Sequence, residues 1–382
     1  MPKTNTFCVK PWNHACIRTN GDITLCCLSR EPVKFNIKTS TIKEWWNGDF
    51  VAGIRQQFLN NERPIECMNC FDQEDVGVES LRQRVNREYQ IIDQYPSKMI
   101  SYYNLPTEQP IEVEFQLTNL CNLKCLMCWE QSSSQILSEN KILKITVADQ
   151  STYTITSNEI DKIKEWIKTK PKLITLIGGE PMIVPEIKEL LQWAIENEFS
   201  HDIDLHITTN GTKFNDEWHS ILRQFKKSRV MVSIDSVGAV NDYIRSGSKW
   251  SDIEHNVKQI ATIPGINLLI HATVQNLNLL SIGSFFTWCE KNNYFFDFSL
   301  LQNPDILLYN NLPRELLELA IDNLNQVNNK HSQQLVELIK QAPVSNKWQD
   351  FKNEINMRDN IRRTNILSVI PELGPYWNAK TE

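Results

Sequence analysis

The sequence predicts an α/β protein whose main domain is an open, partial (βα)6 barrel of the TIM type. Three observations lead to this prediction. The 382 residues are 41% hydrophobic and 23% charged, which gives enough apolar material for a folded core. From residue 111 onwards, strand patterns alternate with helix patterns, as in a parallel sheet with helical crossovers. Six such units can be recognised, fewer than the eight that close a barrel.

The strands are predicted from short apolar runs and from the alternation of apolar and polar residues. In the first strand, Ile111, Val113 and Phe115 alternate with polar residues. The predicted strands span 111–117, 173–177, 203–208, 229–234, 267–274 and 295–301. His206 and His271 lie within them, and each is expected to be a hydrogen-bonded histidine of the core rather than a ligand.

Helices are predicted between the strands because apolar residues recur there at helical spacing. Their apolar residues are Ile160, Ile163 and Ile167 in one helix, Ile187, Leu190 and Leu191 in the next, then Trp218, Ile221 and Leu222, and finally Ile253, Val257 and Ile260. The segment 130–156 is rich in Ser, Thr and Gln and is predicted to be an insertion after the first strand. Residues 306–382 are predicted to be a helical region, with an apolar stripe around Leu316 and Leu324.

The predicted domain boundaries follow changes in these patterns. Residues 1–75 hold six cysteines in short segments and form a small N-terminal domain. One helix within it is indicated by the apolar spacing around Ile54. Residues 76–110 are polar and charged, and are predicted to connect this domain to the barrel at 111–305.

The charge balance and the hydropathy pattern disfavour two classes of function. The chain has 40 Lys and Arg against 46 Asp and Glu, so its net charge of −6 argues against nucleic-acid binding as the main role. No apolar run reaches the roughly 18 residues that a membrane-spanning helix requires. The first residues lack the apolar stretch of a secretory signal, so a cytoplasmic protein is expected.

The cysteines carry most of the chemical information in this sequence. Nine of the ten lie between Cys8 and Cys128. Because a cytoplasmic chain rarely forms disulfides, clustered cysteines indicate metal ligands. Cys16 and Cys289 are expected to be buried thiols without a metal.

Three of these cysteines form a compact loop at the end of the first predicted strand. Cys121, Cys125 and Cys128 stand in a C-x3-C-x2-C arrangement. Three thiolates at this spacing can hold one face of a four-iron cluster and leave one iron open to a ligand. Zinc is the alternative, but it usually takes four ligands and C-x2-C pairs.

This loop resembles the cysteine signature of radical S-adenosylmethionine (SAM) enzymes, which follows the first barrel strand in that family. The resemblance implies a [4Fe-4S] cluster whose open iron binds the amino and carboxylate groups of SAM. It also implies that reduction of the cluster releases a 5′-deoxyadenosyl radical. The family usually has an aromatic residue before the third cysteine, where this chain has Met127. The polarizable sulfur of Met127 can still pack against adenine.

A second motif follows the second predicted strand, where the chain reads Gly178-Gly179-Glu180-Pro181. In isolation these residues are typical of a turn. The motif resembles the GGEP element of the same family, which implies that Glu180 binds the amino group of SAM through a charge-assisted hydrogen bond. The glycines would let the backbone approach the ligand closely.

Two weaker matches follow the next strands. The turn at 208–211 resembles the TNG element of the family, and Ser233 stands in a segment that resembles its SxDG element. The resemblance implies that Ser233 contacts SAM and that Arg245 pairs with the SAM carboxylate, which suits a bidentate guanidinium. A solvated surface arginine is the alternative for Arg245. Asp359, Arg362 and Glu372 near the C-terminus are expected to be surface or helix-capping charges.

The N-terminal cysteines suggest a second metal site. A Cys67–Cys70 pair with two distant cysteines favours a zinc ribbon on spacing alone. However, Pro11-Trp12 and the Gly21–Cys26 segment resemble the SPASM or twitch domains that hold auxiliary iron–sulfur clusters. That resemblance implies an auxiliary [4Fe-4S] cluster bound by four cysteines, for which we expect Cys8, Cys26, Cys67 and Cys70. Cys27 is the rival to Cys26.

Together the resemblances imply a radical SAM enzyme that abstracts a hydrogen atom and oxidises or crosslinks a peptide or protein. A radical SAM dehydrogenase of a small molecule is the alternative, and a zinc-ribbon interaction protein is the alternative that is not an enzyme. The expected cofactors are SAM, the cluster that binds it and the auxiliary cluster. The expected partners are the substrate and an electron donor such as flavodoxin or ferredoxin, without nucleic acid or membrane.

Overall fold

A computed structural model describes residues 6–30, 35–75, 77, 79–89, 108–145, 151–343 and 345–378. The chain divides into two compact units. Unit 1 comprises Met1–Leu120, Asp149–Ile207 and Ser220–Ser228, and unit 2 comprises Cys121–Ala148, Thr208–His219 and Arg229–Glu382. No helix in the described ranges is long and apolar enough to cross a membrane.

The strands and helices alternate from β3 onwards, as expected of an α/β protein. The strands are β1 (His14–Ile17), β2 (Ile23–Thr24), β3 (Glu112–Phe115), β4 (Lys124–Cys125), β5 (Leu173–Leu176), β6 (Asp204–Thr209), β7 (Lys227–Ser233), β8 (Arg245–Ser246), β9 (Asn267–Val274) and β10 (Phe295–Leu300). The α-helices are Lys10–Asn13, Ile42–Trp46, Asp49–Leu59, Met68–Asp75, Leu81–Glu88, Ser134–Leu143, Ser157–Ile167, Pro185–Glu196, Asp216–Arg223, Gly238–Ile244, Trp250–Ala261, Ile282–Lys291, Arg314–Asn325, Lys330–Gln341, Trp348–Arg362 and Gly374–Trp377.

Unit 1 is built on strands in the order β2, β1, β3, β5, β6. β1 is antiparallel to β2 and parallel to β3, which is parallel to β5, as β5 is to β6. In β3, β5 and β6 one face is buried, and the other is half-buried and carries polar residues such as Glu114, Thr175 and His206. On the buried face Phe115 packs edge-on against Trp166 of helix Ser157–Ile167, with ring centroids 5.7 Å apart. These three strands are therefore amphipathic, since their side chains alternate between a buried and a half-buried face.

Unit 2 contains three parallel strands, because β7 pairs with β9 and β9 with β10. β4 and β8 form a separate antiparallel pair. Helix Ile282–Lys291 packs on the parallel strands through Phe286, whose ring is stacked on Phe296 of β10 at 5.6 Å. Among the described residues, the other helices of ten or more residues in this unit are Ser134–Leu143, Trp250–Ala261, Arg314–Asn325, Lys330–Gln341 and Trp348–Arg362.

All six predicted strands and the predicted helices are present close to their expected bounds. The α/β class is confirmed. Four short strands escaped prediction: β1, β2, β4 and β8. The N-terminal segment is also more regular than expected, because β1 extends the parallel sheet beside β3. The predicted insertion at 130–156 contains helix Ser134–Leu143. The predicted connection at 76–110 contains helix Leu81–Glu88, and residues 90–107 of this connection fall outside the described residues.

Candidate functional site

The three cysteines of the loop after β3 lie together in unit 2. Cys121 and Cys125 are buried with Leu123, and Met127 and Cys128 pack against the same small cluster. All three cysteines are free thiols. The β4–β8 ladder fixes the middle of the loop. The predicted C-x3-C-x2-C loop thus gathers its side chains in one place.

The loop is also tied to the start of helix Ser134–Leu143. Ser133 Oγ accepts a hydrogen bond from the Ile136 amide at 3.2 Å and donates to the Leu123 carbonyl at 2.9 Å. The Cys121 amide donates to Ser134 Oγ at 3.2 Å. An N-cap serine that also bonds the loop couples the loop conformation to the helix start.

Burial makes the free thiols of this loop hard to ionise. Burial raises the pKa of Cys125 to about 12, although the charge of Arg245 opposes the rise. Burial and then the neighbouring Cys125 and Cys121 raise the pKa of Cys128 as well. Thiols in such surroundings ionise when a metal replaces their protons, so metal binding and proton release are coupled.

The donor set fits a cluster better than a single ion. Structural zinc needs four donors that converge on one point, whereas this loop supplies three cysteines. In an iron–sulfur cluster each cysteine binds a different iron, so the sulfurs need only surround a common volume. Three neighbouring thiols on one short loop, two of them buried and that of Cys128 partly buried, meet that demand.

The turn after β6 lies against the cysteine loop. Asn210 Nδ2 donates to Asn122 Oδ1 at 3.0 Å and lies 4.0 Å from Cys121 Sγ. Asn122 Nδ2 in turn donates to Thr212 Oγ1 at 2.8 Å. The predicted turn at 208–211 therefore packs against the cysteine loop next to its first cysteine.

Arg245 is buried, with 7% of its surface exposed, so its reading as a solvated surface arginine is wrong. Its Nε lies 2.8 Å from Asp235 Oδ2, and its Nη1 donates to Cys125 Sγ at 3.9 Å. Burial opposes its charge, but Asp235 and then Cys125 outweigh that effect and raise its pKa. Sequence analysis gives Asp235 no role, although Asp235 is the aspartate of the segment that contains Ser233.

Ser233 ends β7 on the half-buried face of the sheet, where its partner across the β7–β9 ladder is His271. The prediction that His271 belongs to the core is wrong, because its side chain is 23% exposed. It is hydrogen-bonded as expected: Nδ1 lies 2.5 Å from Asp297 Oδ1 and Nε2 lies 3.1 Å from Ser299 Oγ. His206 is likewise half-buried, since both histidines occupy the polar side of an alternating strand.

The Gly-Gly-Glu turn follows β5 in unit 1. Gly178 and Gly179 have positive φ values of +85° and +53°, and a Cβ on Gly179 would lie 2.3 Å from the Leu120 carbonyl oxygen. The glycines therefore have a packing reason apart from any ligand. Glu180 is fully buried; its amide donates to the Leu120 carbonyl at 2.9 Å, and its carboxylate accepts from the Met182 amide at 3.0 Å.

The four N-terminal cysteines expected as ligands line one small pocket in unit 1. Cys8, Cys26, Cys67 and Cys70 all contribute to it, together with Arg82. Burial raises the pKa of Cys8 to about 12, and the nearby Cys26 adds to the rise. Burial and then Cys8, Cys26 and Cys70 raise the pKa of Cys67 in the same way. Four mutually close thiols from three chain segments fit an iron–sulfur cluster.

Polar side chains fix these segments around the pocket. The Arg30 amide donates to the Glu66 carbonyl at 2.9 Å, and Asn69 Nδ2 donates to the Leu28 carbonyl at 2.8 Å. These bonds tie the segment after Cys26 to the segment of Cys67 and Cys70. Cys8 is held from the other side by helix Leu81–Glu88: Asn86 Oδ1 accepts from the Val9 amide at 3.0 Å, and Arg82 Nη1 and Asn86 Nδ2 both donate to the Phe7 carbonyl at 2.7 Å.

Cys16 and Cys27 lie apart from this pocket. Cys16 is buried on β1 and its thiol donates to Glu114 Oε1 at 3.6 Å. Burial and then the charge of Glu114 raise the pKa of Cys27, so Cys27 also lies near Glu114. Cys289 is buried in helix Ile282–Lys291. The burial expected of Cys16 and Cys289 is confirmed.

A buried ion-pair cluster joins the helix after the cysteine loop to the C-terminal helix. Glu139 lies 2.6 Å from Arg358 Nη1 and 2.7 Å from Arg362 Nη2. The side chains of Glu139 and Arg362 are only 1% and 4% exposed, so the reading of Arg362 as a surface charge is wrong. Asp359 accepts a hydrogen bond from Tyr243 at 2.9 Å, whereas Glu372 is exposed as expected.

We expect Glu139→Ala to lower the free energy of unfolding by about 3 kcal/mol, because the buried guanidinium of Arg362 loses its counter-charge and Arg358 keeps only its pair with Glu354. The effect also depends on pH. Burial tends to raise the pKa of Glu139, but its pairing with Arg362 and Arg358 prevails and lowers it. A lowered folded-state pKa gives a stabilisation that is present above the ordinary glutamate pKa and is lost as pH falls through the folded-state value.

Denaturant unfolding at neutral and acidic pH measures both effects. The matched control is Glu337→Ala, since Glu337 is 62% exposed and pairs with Lys340 on a surface helix. An equal loss of stability in the two variants would contradict the prediction.

Comparison with characterised proteins extends this picture. The chain is similar to the mycofactocin maturase MftC of Mycobacterium tuberculosis, with 23% identity over 195 residues, or 51% of this chain and 45% of that protein. It is also similar to the sporulation killing factor maturation protein SkfB of Bacillus subtilis, with 25% identity over 201 residues, or 50% of this chain and 42% of that protein. The matched part thus spans less than half the length of these relatives.

A solved structure shows a partial likeness. It is Streptococcus suis SuiB bound to the precursor peptide SuiA, with a TM-score of 0.41 and 14% identity over 72% of this chain and 60% of SuiB.

Two family models match separate parts of the chain. Residues 8–71, which contain the four-cysteine pocket, match the SPASM iron–sulfur cluster-binding domain. Residues 115–270, which contain the three-cysteine loop, match the radical SAM superfamily. The chain therefore contains a region that matches the radical SAM superfamily and, on its N-terminal side, a region that matches the iron–sulfur cluster-binding domain of the SPASM type.

Proposed function

We propose that this chain is a radical SAM enzyme that oxidises or crosslinks a peptide or protein. Cys121, Cys125 and Cys128 would hold a [4Fe-4S] cluster, which on binding SAM and an electron supplies a 5′-deoxyadenosyl radical for hydrogen-atom abstraction. The observation that carries this proposal is the packing of the three free thiols on one loop, with Arg245 beside Cys125.

Further residues have defined roles in this proposal. Glu180 would bind the amino group of SAM from the turn in which Gly178 and Gly179 let the backbone pass close to Leu120. Ser233 would contact SAM from the end of β7, and Met127 would pack against adenine. The proposal for Met127 is supported by its place beside the three cysteines, where its thioether is already part of an apolar cluster.

The N-terminal domain would hold the auxiliary [4Fe-4S] cluster through Cys8, Cys26, Cys67 and Cys70. The shared pocket of these four residues supports this ligand set. Cys26 is preferred to Cys27, because Cys27 is influenced by Glu114 rather than by Cys67 and Cys70. With four cysteine ligands the cluster would have no open iron, so its role would be to transfer electrons or to stabilise the domain.

The peptide substrate is inferred from the relatives. MftC and SkfB are described as maturation proteins, and AlbA of Bacillus subtilis, 28% identical over 145 residues, as a bacteriocin biosynthesis protein. A small-molecule substrate is the second candidate, because an Fe-coproporphyrin III synthase of Methanosarcina barkeri is 26% identical over 202 residues. We also propose a cytoplasmic location and a flavodoxin or ferredoxin as electron donor, since free thiols and reduced clusters need a reducing compartment.

The test is anaerobic reconstitution with iron and sulfide, followed by incubation with SAM and dithionite. Formation of 5′-deoxyadenosine would support the proposed chemistry, and its absence from a protein that contains the cluster would overturn it. The substrate class is tested next with peptides translated from reading frames beside the gene and, separately, with a metabolite extract. A peptide whose mass falls by two hydrogens supports the peptide proposal, whereas a change confined to the extract supports the small-molecule candidate.

We expect Glu180→Gln to keep its iron but to bind SAM roughly tenfold more weakly. The amide oxygen can still accept from the Met182 amide, so the turn is retained. What is lost is the charge-assisted part of the bond to an ammonium group, about 1–2 kcal/mol. Equilibrium binding of SAM to the reconstituted protein measures the change, and Glu189→Gln on the exposed side of the following helix is the matched control. Equal affinity in both variants would assign Glu180 to the turn alone.

A further inference from the structure

Arg245 contacts both Cys125 and Asp235, and its expected role as a ligand of the SAM carboxylate does not require these contacts. Its backbone pairs with that of Cys125 in the β4–β8 ladder. From there its side chain turns to Asp235, with 2.8 Å between Nε and Oδ2, and its Nη1 donates to Cys125 Sγ at 3.9 Å. Both the backbone and the side chain of Arg245 are therefore fixed beside a cysteine of the loop.

Asp235 is itself held rigidly. Its Oδ1 accepts a hydrogen bond from the Thr273 amide at 2.9 Å, its own amide donates to Asn241 Oδ1 at 3.1 Å, and its carbonyl accepts from Asn278 Nδ2 at 2.8 Å. Asp235 is fully buried. The carboxylate can therefore orient the guanidinium before any ligand arrives, because its own partners all come from the surrounding backbone and amide side chains.

We propose that Arg245, oriented by Asp235, donates a hydrogen bond to Cys125 Sγ and raises the reduction potential of the cluster held by the three-cysteine loop. This inference rests on the proposed function, since it requires a cluster at Cys121, Cys125 and Cys128. Hydrogen bonds to ligand sulfurs and nearby charge are among the factors that set cluster potentials. A buried cation stabilises the reduced cluster more than the oxidised one, because reduction adds negative charge.

Removing the positive charge of Arg245 and removing the negative charge of Asp235 should shift the reduction potential of the cluster in opposite directions. Loss of Arg245 leaves the Asp235 carboxylate beside the loop and should make reduction harder. Loss of the Asp235 charge, in a side chain that keeps its size and one oxygen, should make reduction easier. The sign of the shift thus separates this proposal from a general disturbance of the fold, because such a disturbance would not give shifts of opposite sign in the two variants.

The test is an EPR-monitored redox titration of the reconstituted full chain without SAM. The signal of the loop cluster is identified as the one that changes when SAM is then added. We expect Arg245→Gln to lower the equilibrium constant for one-electron reduction about tenfold, which corresponds to about 59 mV. Arg245→Lys should keep most of the wild-type value, and Asp235→Asn should raise the constant. The control, Arg314→Gln, removes a guanidinium that is 80% exposed and should change nothing.

An unchanged constant in Arg245→Gln with weakened SAM binding would overturn the proposal and leave Arg245 as a carboxylate ligand only. If Arg245→Gln fails to fold, as judged by circular dichroism of the metal-free protein, Asp235→Asn decides the question, and an unchanged constant there overturns the proposal. Failure of the proposed function is recognised separately, because the wild-type protein would then show no EPR signal that responds to SAM.

Discussion

The variant in which Cys121, Cys125 and Cys128 are all replaced by Ala should lose about four irons per chain and all reductive cleavage of SAM. These three thiols are the cysteines of the loop, and they pack in one cluster. Without them no thiolate of the loop can bind iron, so SAM has no open iron to chelate. Iron per chain and the yield of 5′-deoxyadenosine with dithionite measure the two losses.

The matched control is Cys289→Ala, which removes a buried thiol of the same unit from helix Ile282–Lys291. It should keep both its iron and its cleavage activity. Circular dichroism of the metal-free proteins separates loss of the cluster from loss of the fold. Full cleavage activity in the triple variant would refute the assignment of this loop to the SAM cluster.

The sequence predicts those elements whose side chains face two different surroundings. Alternation in the first barrel strand and helical spacing around Ile163 are imposed by burial on one side only, so both elements are predicted correctly. β1 escapes because all four of its residues are buried and a run of four shows no period. β4 and β8 are two-residue strands that exist because a loop is pinned at its middle, which no local pattern records.

In the site, too, features set by local sequence are predicted, whereas those that depend on tertiary structure are not. The spacing of Cys121, Cys125 and Cys128 is local, so the loop could be identified from the sequence. The partner of Arg245 could not be identified from the sequence, because Asp235 is ten positions away. The two side chains approach each other only through the placement of β7 and β8. Likewise, adjacent cysteines cannot be ranked by spacing; Cys26 and Cys27 differ only once the folded chain turns one of them towards the pocket and leaves the other near Glu114.

The environment of His271 depends on which face of its strand it occupies. Its position inside a predicted strand favours a core histidine, yet alternation along β9 puts it on the half-buried side. There it pairs with Asp297 of the neighbouring strand. The strand was predicted correctly, while the choice of face depends on which side the helices cover, and this is a property of the tertiary structure.

The four-cysteine pocket leads to the second large effect. Cys67 and Cys70 lie at the junction of a 3₁₀ turn and helix Met68–Asp75, so together they present a chelating pair to the pocket. Cys8 and Cys26 come from two other segments, which are anchored to this one by Asn69, Arg82 and Asn86. If the pair is removed, the two remaining thiols cannot surround a four-iron cluster.

We therefore expect Cys67→Ala/Cys70→Ala to contain about half the wild-type iron, on the basis of four irons per cluster. This variant should still produce 5′-deoxyadenosine from SAM and dithionite, because the three-cysteine loop is intact, but it should no longer form product from the substrate. Cys16→Ala/Cys27→Ala is the matched control, since it removes two cysteines of the same unit that lie near Glu114 and should leave the iron content unchanged. Iron and zinc per chain, together with 5′-deoxyadenosine, decide the outcome. If the iron content of Cys67→Ala/Cys70→Ala is unchanged and one zinc per chain is lost instead, the pocket is a structural zinc site and the auxiliary cluster does not exist.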